Sequence, residues 1–103
     1  MTYQVRISGK ASIEAEDTFN WVSQWSPLAA ARWQENLVDT LRSLQTLPAR
    51  CSLAPESEFT DREVRQLFFG KRRHRYRVVF EIMENTVHVL HIRHGGRALM
   101  EEL

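Results

Sequence analysis

Apolar and polar positions fall into three different rhythms along this chain. Tyr3, Val5 and Ile7 alternate with Gln4 and Arg6, which predicts a half-buried strand over residues 3–8. From Ala11 the spacing changes to three and four. Ala11, Ala15, Phe19 and Val22 define one helical face, with Trp21 and Trp25 as a second stripe beside it. Ser26-Pro27 then marks a helix start, because serine supplies a capping oxygen and proline at the first helical position sacrifices no hydrogen bond. Ala30, Trp33, Leu37, Leu41, Leu44 and Leu47 carry the second helix as far as Pro48. The link between the helices is so short that they must fold back on each other.

Residues 49–61 contain Pro55 and show little periodicity, so they read as a loop. Alternation returns in three further strands. The first covers about 63–69, where Val64, Leu67 and Phe69 are out of phase and a bulge is expected. The second runs over 76–82, with Tyr76, Val78, Phe80 and Ile82 on one face and Arg75, Arg77, Val79 and Glu81 on the other. The third covers 86–94 and is joined to the second by a tight turn in which Asn85 suits a positive φ. The expected fold is α+β, in the order β-α-α-β-β-β. An antiparallel sheet carries the helical hairpin on one face and leaves the other face open.

Charge sharpens this picture. Between Arg62 and Arg97 nine cationic side chains meet only Glu63, Glu81 and Glu84, a local net of +6 in a chain of net +1, so the rest carries −5. Such segregation points to a polyanionic partner, either phosphate backbones or an acidic protein. The 103 residues suit one domain over 1–103, and 43% hydrophobic content is enough for a core. Cys51 is the only cysteine, which favours a reducing cytoplasm. No signal pattern opens the chain, and no apolar run approaches membrane length.

His88, His91 and His94 do not make a metal site. Residues three apart on a strand face opposite ways, and His88 and His94 lie roughly 20 Å apart at strand rise. No metal or cofactor is implied. His94 alone has the chemistry of a general acid or base. Arg93 and Arg97 beside it could stabilise a phosphorane, since the guanidinium fork matches phosphate oxygens. The three tryptophans read as core or interface.

The ordered motifs Y-Q-V-R-I-S, S-P-L-A-A-A-R-W, L-x-x-L-P-A-R, R-E-V-R-Q-L-F-F-G-K, R-Y-R-V-V-F-E-I and V-L-H-I-R-H-G-G-R span nearly the whole chain. Together they resemble the RelE/ParE superfamily of bacterial toxins from type II toxin–antitoxin modules. The resemblance implies a growth-inhibiting toxin neutralised by a cognate antitoxin, in a hetero-oligomer or as a homodimer. RelE-like members cut mRNA on the ribosome, whereas ParE-like members inhibit DNA gyrase without that nuclease set. Arg77 sits where the nuclease branch keeps a strand arginine, and Lys71, Arg72 and Arg73 match its basic lead-in. Arg93, His94 and Arg97 fall in its catalytic region. The expected catalytic set is therefore His94, Arg77, Arg97 and Arg93, with Arg65, Lys71, Arg72, Arg73 and Arg75 binding RNA or antitoxin. No tyrosine follows Tyr76, a departure from the nuclease pattern, and R-H-G-G-R also occurs in the ParE-like branch. Ribosome-dependent mRNA cleavage is the first expectation. Gyrase inhibition is the alternative, and a plain nucleic-acid-binding module stands outside the resemblance.

Overall fold

A computed structural model describes residues 2–97. Strand β1 (Gln4–Ile7) leads into helices α1 (Gly9–Trp25) and α2 (Pro27–Ser43), followed by strands β2 (Arg65–Phe69), β3 (Tyr76–Met83) and β4 (Thr86–His94). The order across the sheet is β1-β4-β3-β2. The β2–β3 and β3–β4 pairs are antiparallel, but β1 lies parallel to β4, so the sheet is mixed and not purely antiparallel. The helical hairpin between β1 and the later strands is long enough to carry the chain across for that parallel pairing.

Serine starts both helices. The Ser8 hydroxyl accepts from the Ala11 amide at 3.0 Å and donates to the Leu90 carbonyl at 3.1 Å, so one side chain caps α1 and ties it to β4. The Ser26 hydroxyl accepts from Ala29 at 3.1 Å, and Ser26 alone separates α1 from α2. The second helix ends earlier than its apolar spacing predicts. Leu44 is fully buried just past its end, while Leu47 is 69% exposed in the left-handed region at φ 48°. Past its end Arg50 Nη1 donates to the carbonyls of Ser43, Thr46 and Leu47 and fastens the turn that follows the helix.

The hairpin packs on one face of the sheet. Phe80, Val78, Val87, Val89 and Ile92 meet Ala11, Leu37 and Leu44 there. Each large side chain so buried contributes about 1.5–3 kcal/mol over leaving it exposed. The second face is not open, as the alternation had suggested. The aperiodic segment 51–64 folds over part of it, and Ala54 and Val64 pack on Val79 with Leu90 alongside. Ser57 holds this cover in place, donating to the Val64 carbonyl at 2.7 Å and accepting from its amide at 2.8 Å.

The bulge lies in β4, not β2. Val79 pairs with His91 but Phe80 pairs with Val89, leaving Leu90 as the extra residue. At the β3–β4 turn it is Glu84, at φ 55°, that takes the positive φ instead of Asn85. Beyond Ile7, β4 has no strand partner on that side among the described residues. Glu14 of α1 takes its place, accepting from the Ile92 amide at 3.2 Å and bonding His91 Nδ1 at 3.0 Å. His91 is thereby a buried structural residue.

Candidate functional site

Two surfaces meet at the end of the sheet where β2 turns into β3. Period-two alternation sorts their residues. Tyr76 pairs with His94 on the helix side, and Arg77 pairs with Arg93 on the second face. Arg93 and His94 are thus neighbours in sequence that point to opposite faces, and the four expected catalytic residues do not converge on one point.

Arg77 is 5% exposed, and its guanidinium forms a two-pronged pair with Glu56, a residue of 0% exposure from the cover segment. Its Nη1 also donates to Gln66 Oε1 at 2.8 Å. Burial of a charge demands such a partner. The fork of Arg77, a residue of the expected catalytic set, is therefore occupied by Glu56 and Gln66 within the fold. Glu56 gave no signal in the sequence that set it apart from Glu58 and Asp61 in the same aperiodic loop.

His94 is spent on the backbone. Its Nε2–H donates to the Arg73 carbonyl at 2.6 Å, and Nδ1 accepts from the Gly96 amide at 3.0 Å. A carbonyl acceptor and an amide donor fix the neutral tautomer, and the one lone pair a general base needs faces Gly96. The ring packs edge-on against Tyr76 at 5.1 Å. Tyr76 is buried, and burial raises its phenol above the ordinary tyrosine range. It stays protonated at neutral pH.

The remaining cations form the tip. Lys71, Arg72, Arg73 and Arg75 are exposed on the β2–β3 connection, and Arg97 is exposed beyond β4. Gly70 at φ 86° makes the entry, where an added Cβ would lie 2.3 Å from the His74 carbonyl. Two long-range bonds clamp the tip to the end of β4: His94 to Arg73, and the Gly95 amide to the Arg75 carbonyl at 2.7 Å. Arg75 lies over the Phe68 ring at 3.9 Å. Arg93 buries its Nε with no partner. Arg65 stands apart, donating to the Cys51 carbonyl at 2.7 Å and lying 3.8 Å from Glu63. It fastens the cover segment and does not join the tip.

On the helix side lies an open groove of about 1010 Å³ between the α1–α2 turn, α2 and the β2–β3 tip. Its aromatic wall is Trp21, Trp25, Trp33, Phe69 and Tyr76, and Lys71, His74 and Arg32 stand on its rim. Trp33 packs on Phe69 and Tyr76, and its indole N–H is buried without a partner. Trp21 and Trp25 meet edge to face at 6.4 Å yet remain 59% and 75% exposed. Helical spacing placed these rings on stripes; it did not reveal that strand residues from 69 and 76 complete a groove with them. Among the described residues no group of acidic, histidine or cysteine side chains is arranged to hold a metal, and no helix is long and apolar enough to cross a membrane.

Comparison with known proteins bears on this arrangement. The chain finds no match in sequence among curated proteins. Its fold is similar to a solved chain described as "Chromosomal ParDE TA system from P. aeruginosa", with a TM-score of 0.68 over 90% of this chain and 96% of that one. Sequence identity there is 16%, so this likeness concerns the fold. The profile of the family described as "ParE toxin of type II toxin-antitoxin system, parDE" matches residues 5–99. That match spans both helices and all four strands, and the chain therefore belongs to the ParE toxin family of type II toxin–antitoxin systems.

Proposed function

We propose that this chain arrests growth as a ParE-like inhibitor of DNA gyrase, performing no covalent chemistry of its own. The observation that carries this reading is the fate of the nuclease set. Arg77 is neutralised by Glu56, His94 commits both nitrogens to the backbone, and Arg93 faces away from His94. Cleavage by 2′-OH attack needs a base, a leaving-group acid and a free cation at one phosphate. These side chains supply no such convergence. The family match favours the same branch, so ribosome-dependent mRNA cleavage, the first expectation from sequence, gives way to its alternative.

A cognate antitoxin completes the module. The aromatic groove suits an amphipathic helix with large apolar anchors, and its basic rim suits acidic residues beside them. In this reading the pair is cytoplasmic, and the antitoxin shields Trp21 and Trp25 in a hetero-oligomer. A supercoiling assay with purified gyrase, run beside primer extension on translated mRNA, tests the target. Inhibited supercoiling with intact transcripts is expected. Cleaved transcripts with unimpaired supercoiling would return the chain to the nuclease branch.

A further inference from the structure

We propose that the cationic tip, together with Arg93 on the second face behind it and Arg97 beyond β4, forms a contact site for the phosphate backbone of duplex DNA. The proposal rests on the gyrase reading for its setting, since gyrase works on duplex DNA, but its observations are independent of it.

The first observation is charge without compensation. Arg62, Arg65, Arg77 and His91 have acidic partners among the described residues. Lys71, Arg72, Arg73, Arg75, Arg93 and Arg97 have none. Glu56, a buried carboxylate, is already engaged by Arg77. The second is an unmet donor. Arg93 keeps its Nε buried without a hydrogen-bond partner among the described residues, a donor left unmet until an acceptor arrives. A phosphate presents several acceptor oxygens, and a guanidinium binds them with charge-assisted hydrogen bonds.

The third observation is order. The loop that carries the cations is pinned at its base by Gly70 and at its far side by the His94–Arg73 and Gly95–Arg75 bonds. Gly95 is itself a requirement of this clamp, because an added Cβ would lie 2.9 Å from the Arg75 carbonyl. Cations on a fixed backbone lose less entropy on binding than cations on a free loop.

The last observation selects the partner. A protein interface needs desolvated apolar anchors at its centre. The groove has them; this surface does not. Its one aromatic, Phe68, already lies beneath the Arg75 guanidinium. A surface of unpaired cations without an apolar anchor matches a DNA backbone, which is recognised by charge regardless of sequence. An acidic peptide is the competing occupant.

Fluorescence anisotropy of a labelled 20-base-pair duplex with the purified full chain, without gyrase, tests the proposal. About four phosphate contacts predict that Kd rises roughly 10²-fold between 50 and 200 mM salt. Arg75→Gln, Arg93→Gln and Arg97→Gln together should lower the logarithmic salt slope by about 2–3. The exposed pair Arg72→Gln and Arg73→Gln gives a second variant should the triple one misfold, and should lower the slope by about 1–2. No binding of the native chain at 50 mM salt, or an unchanged slope in folded variants, overturns the proposal. So does capture of polyglutamate, but not of duplex, by these residues. A native chain that inhibits supercoiling yet ignores free duplex sinks this inference and spares the gyrase reading. One that binds duplex yet leaves supercoiling intact does the reverse.

Discussion

The helix-side groove and the second-face tip begin at adjacent residues yet work by different physics. Tyr76 and His94 belong to the groove side, and Arg77 and Arg93 to the other, because successive strand residues point to opposite faces. The groove offers exposed aromatic surface, whose binding contribution scales with apolar area and varies little with salt. The tip offers exposed cations, whose contribution falls steeply with salt. One short hairpin thus gives a small protein two surfaces of distinct chemistry. It also shows that a dense run of arginines need not be one site: the Arg65 and Arg77 guanidiniums bond within the fold, and the tip cations are exposed without an acidic partner among the described residues.

The largest expected effect concerns that division of labour. Glu56→Gln leaves Arg77 charged, buried and without its carboxylate. Urea unfolding should show a loss of about 3–5 kcal/mol, the usual result of removing one partner of a buried pair. Replacing both partners together, Glu56→Leu with Arg77→Met, should cost less than Glu56→Gln alone. If Glu56→Gln is as stable as the native chain, Arg77 is not held as described and returns to the pool of available cations.

Trp21→Ala with Trp25→Ala sharpens the comparison from the groove side. Both rings are more than half exposed, so folding stability should change by less than about 1 kcal/mol. Affinity for the co-encoded antitoxin should fall roughly 10²-fold or more by calorimetry, in the range of aromatic hot spots. The loss should be similar at low and high salt. A loss confined to low salt would mean that the antitoxin is held by the tip, and the two surfaces would no longer be separable by partner.

Much of the architecture was legible because its cues are local. Ser8 and Ser26 cap the helices that the apolar spacing predicts, and β4 has the bounds that its alternation indicates. What sequence did not disclose depends on distant partners. The parallel pairing of β1 with β4 leaves no mark in either strand, since alternation reports faces and not neighbours. The cover over the second face has no periodicity because its hydrogen bonds run through Ser57 and one short 3-10 turn, Pro55–Phe59. The pairing of Arg77 was not legible because its carboxylate partner lies twenty-one positions earlier in a segment without pattern. Residue type likewise cannot show that the Arg73 carbonyl and the Gly96 amide engage both nitrogens of His94.

His94→Gln therefore has a modest expected effect. It loses the bond to Arg73 and loosens the clamp at the tip, costing about 0.5–1.5 kcal/mol of stability. Growth arrest at matched soluble expression should persist. A 10²-fold or greater loss of toxicity in a folded His94→Gln chain would indicate proton transfer after all.

The smallest effect is a pH dependence on the groove side. Burial raises the Tyr76 phenol above its ordinary value near ~10. A group whose pKa is raised by folding contributes stability that is fully present below the unfolded value. That contribution is lost as pH rises through the folded value. The native chain should therefore lose stability above pH ~10 for this reason, in addition to any general alkaline effect. Tyr76→Phe keeps the ring against Trp33, Phe69 and His94 but removes the ionisable group. Cys51 is buried too and its thiol is likewise raised, so both chains should carry Cys51→Ala for the comparison. The stability of the Tyr76→Phe chain relative to its parent should then increase between about pH 9 and 11. A constant difference across that range would mean that the phenol ionises as freely as in the unfolded chain, and the groove floor would be wetter than its packing indicates.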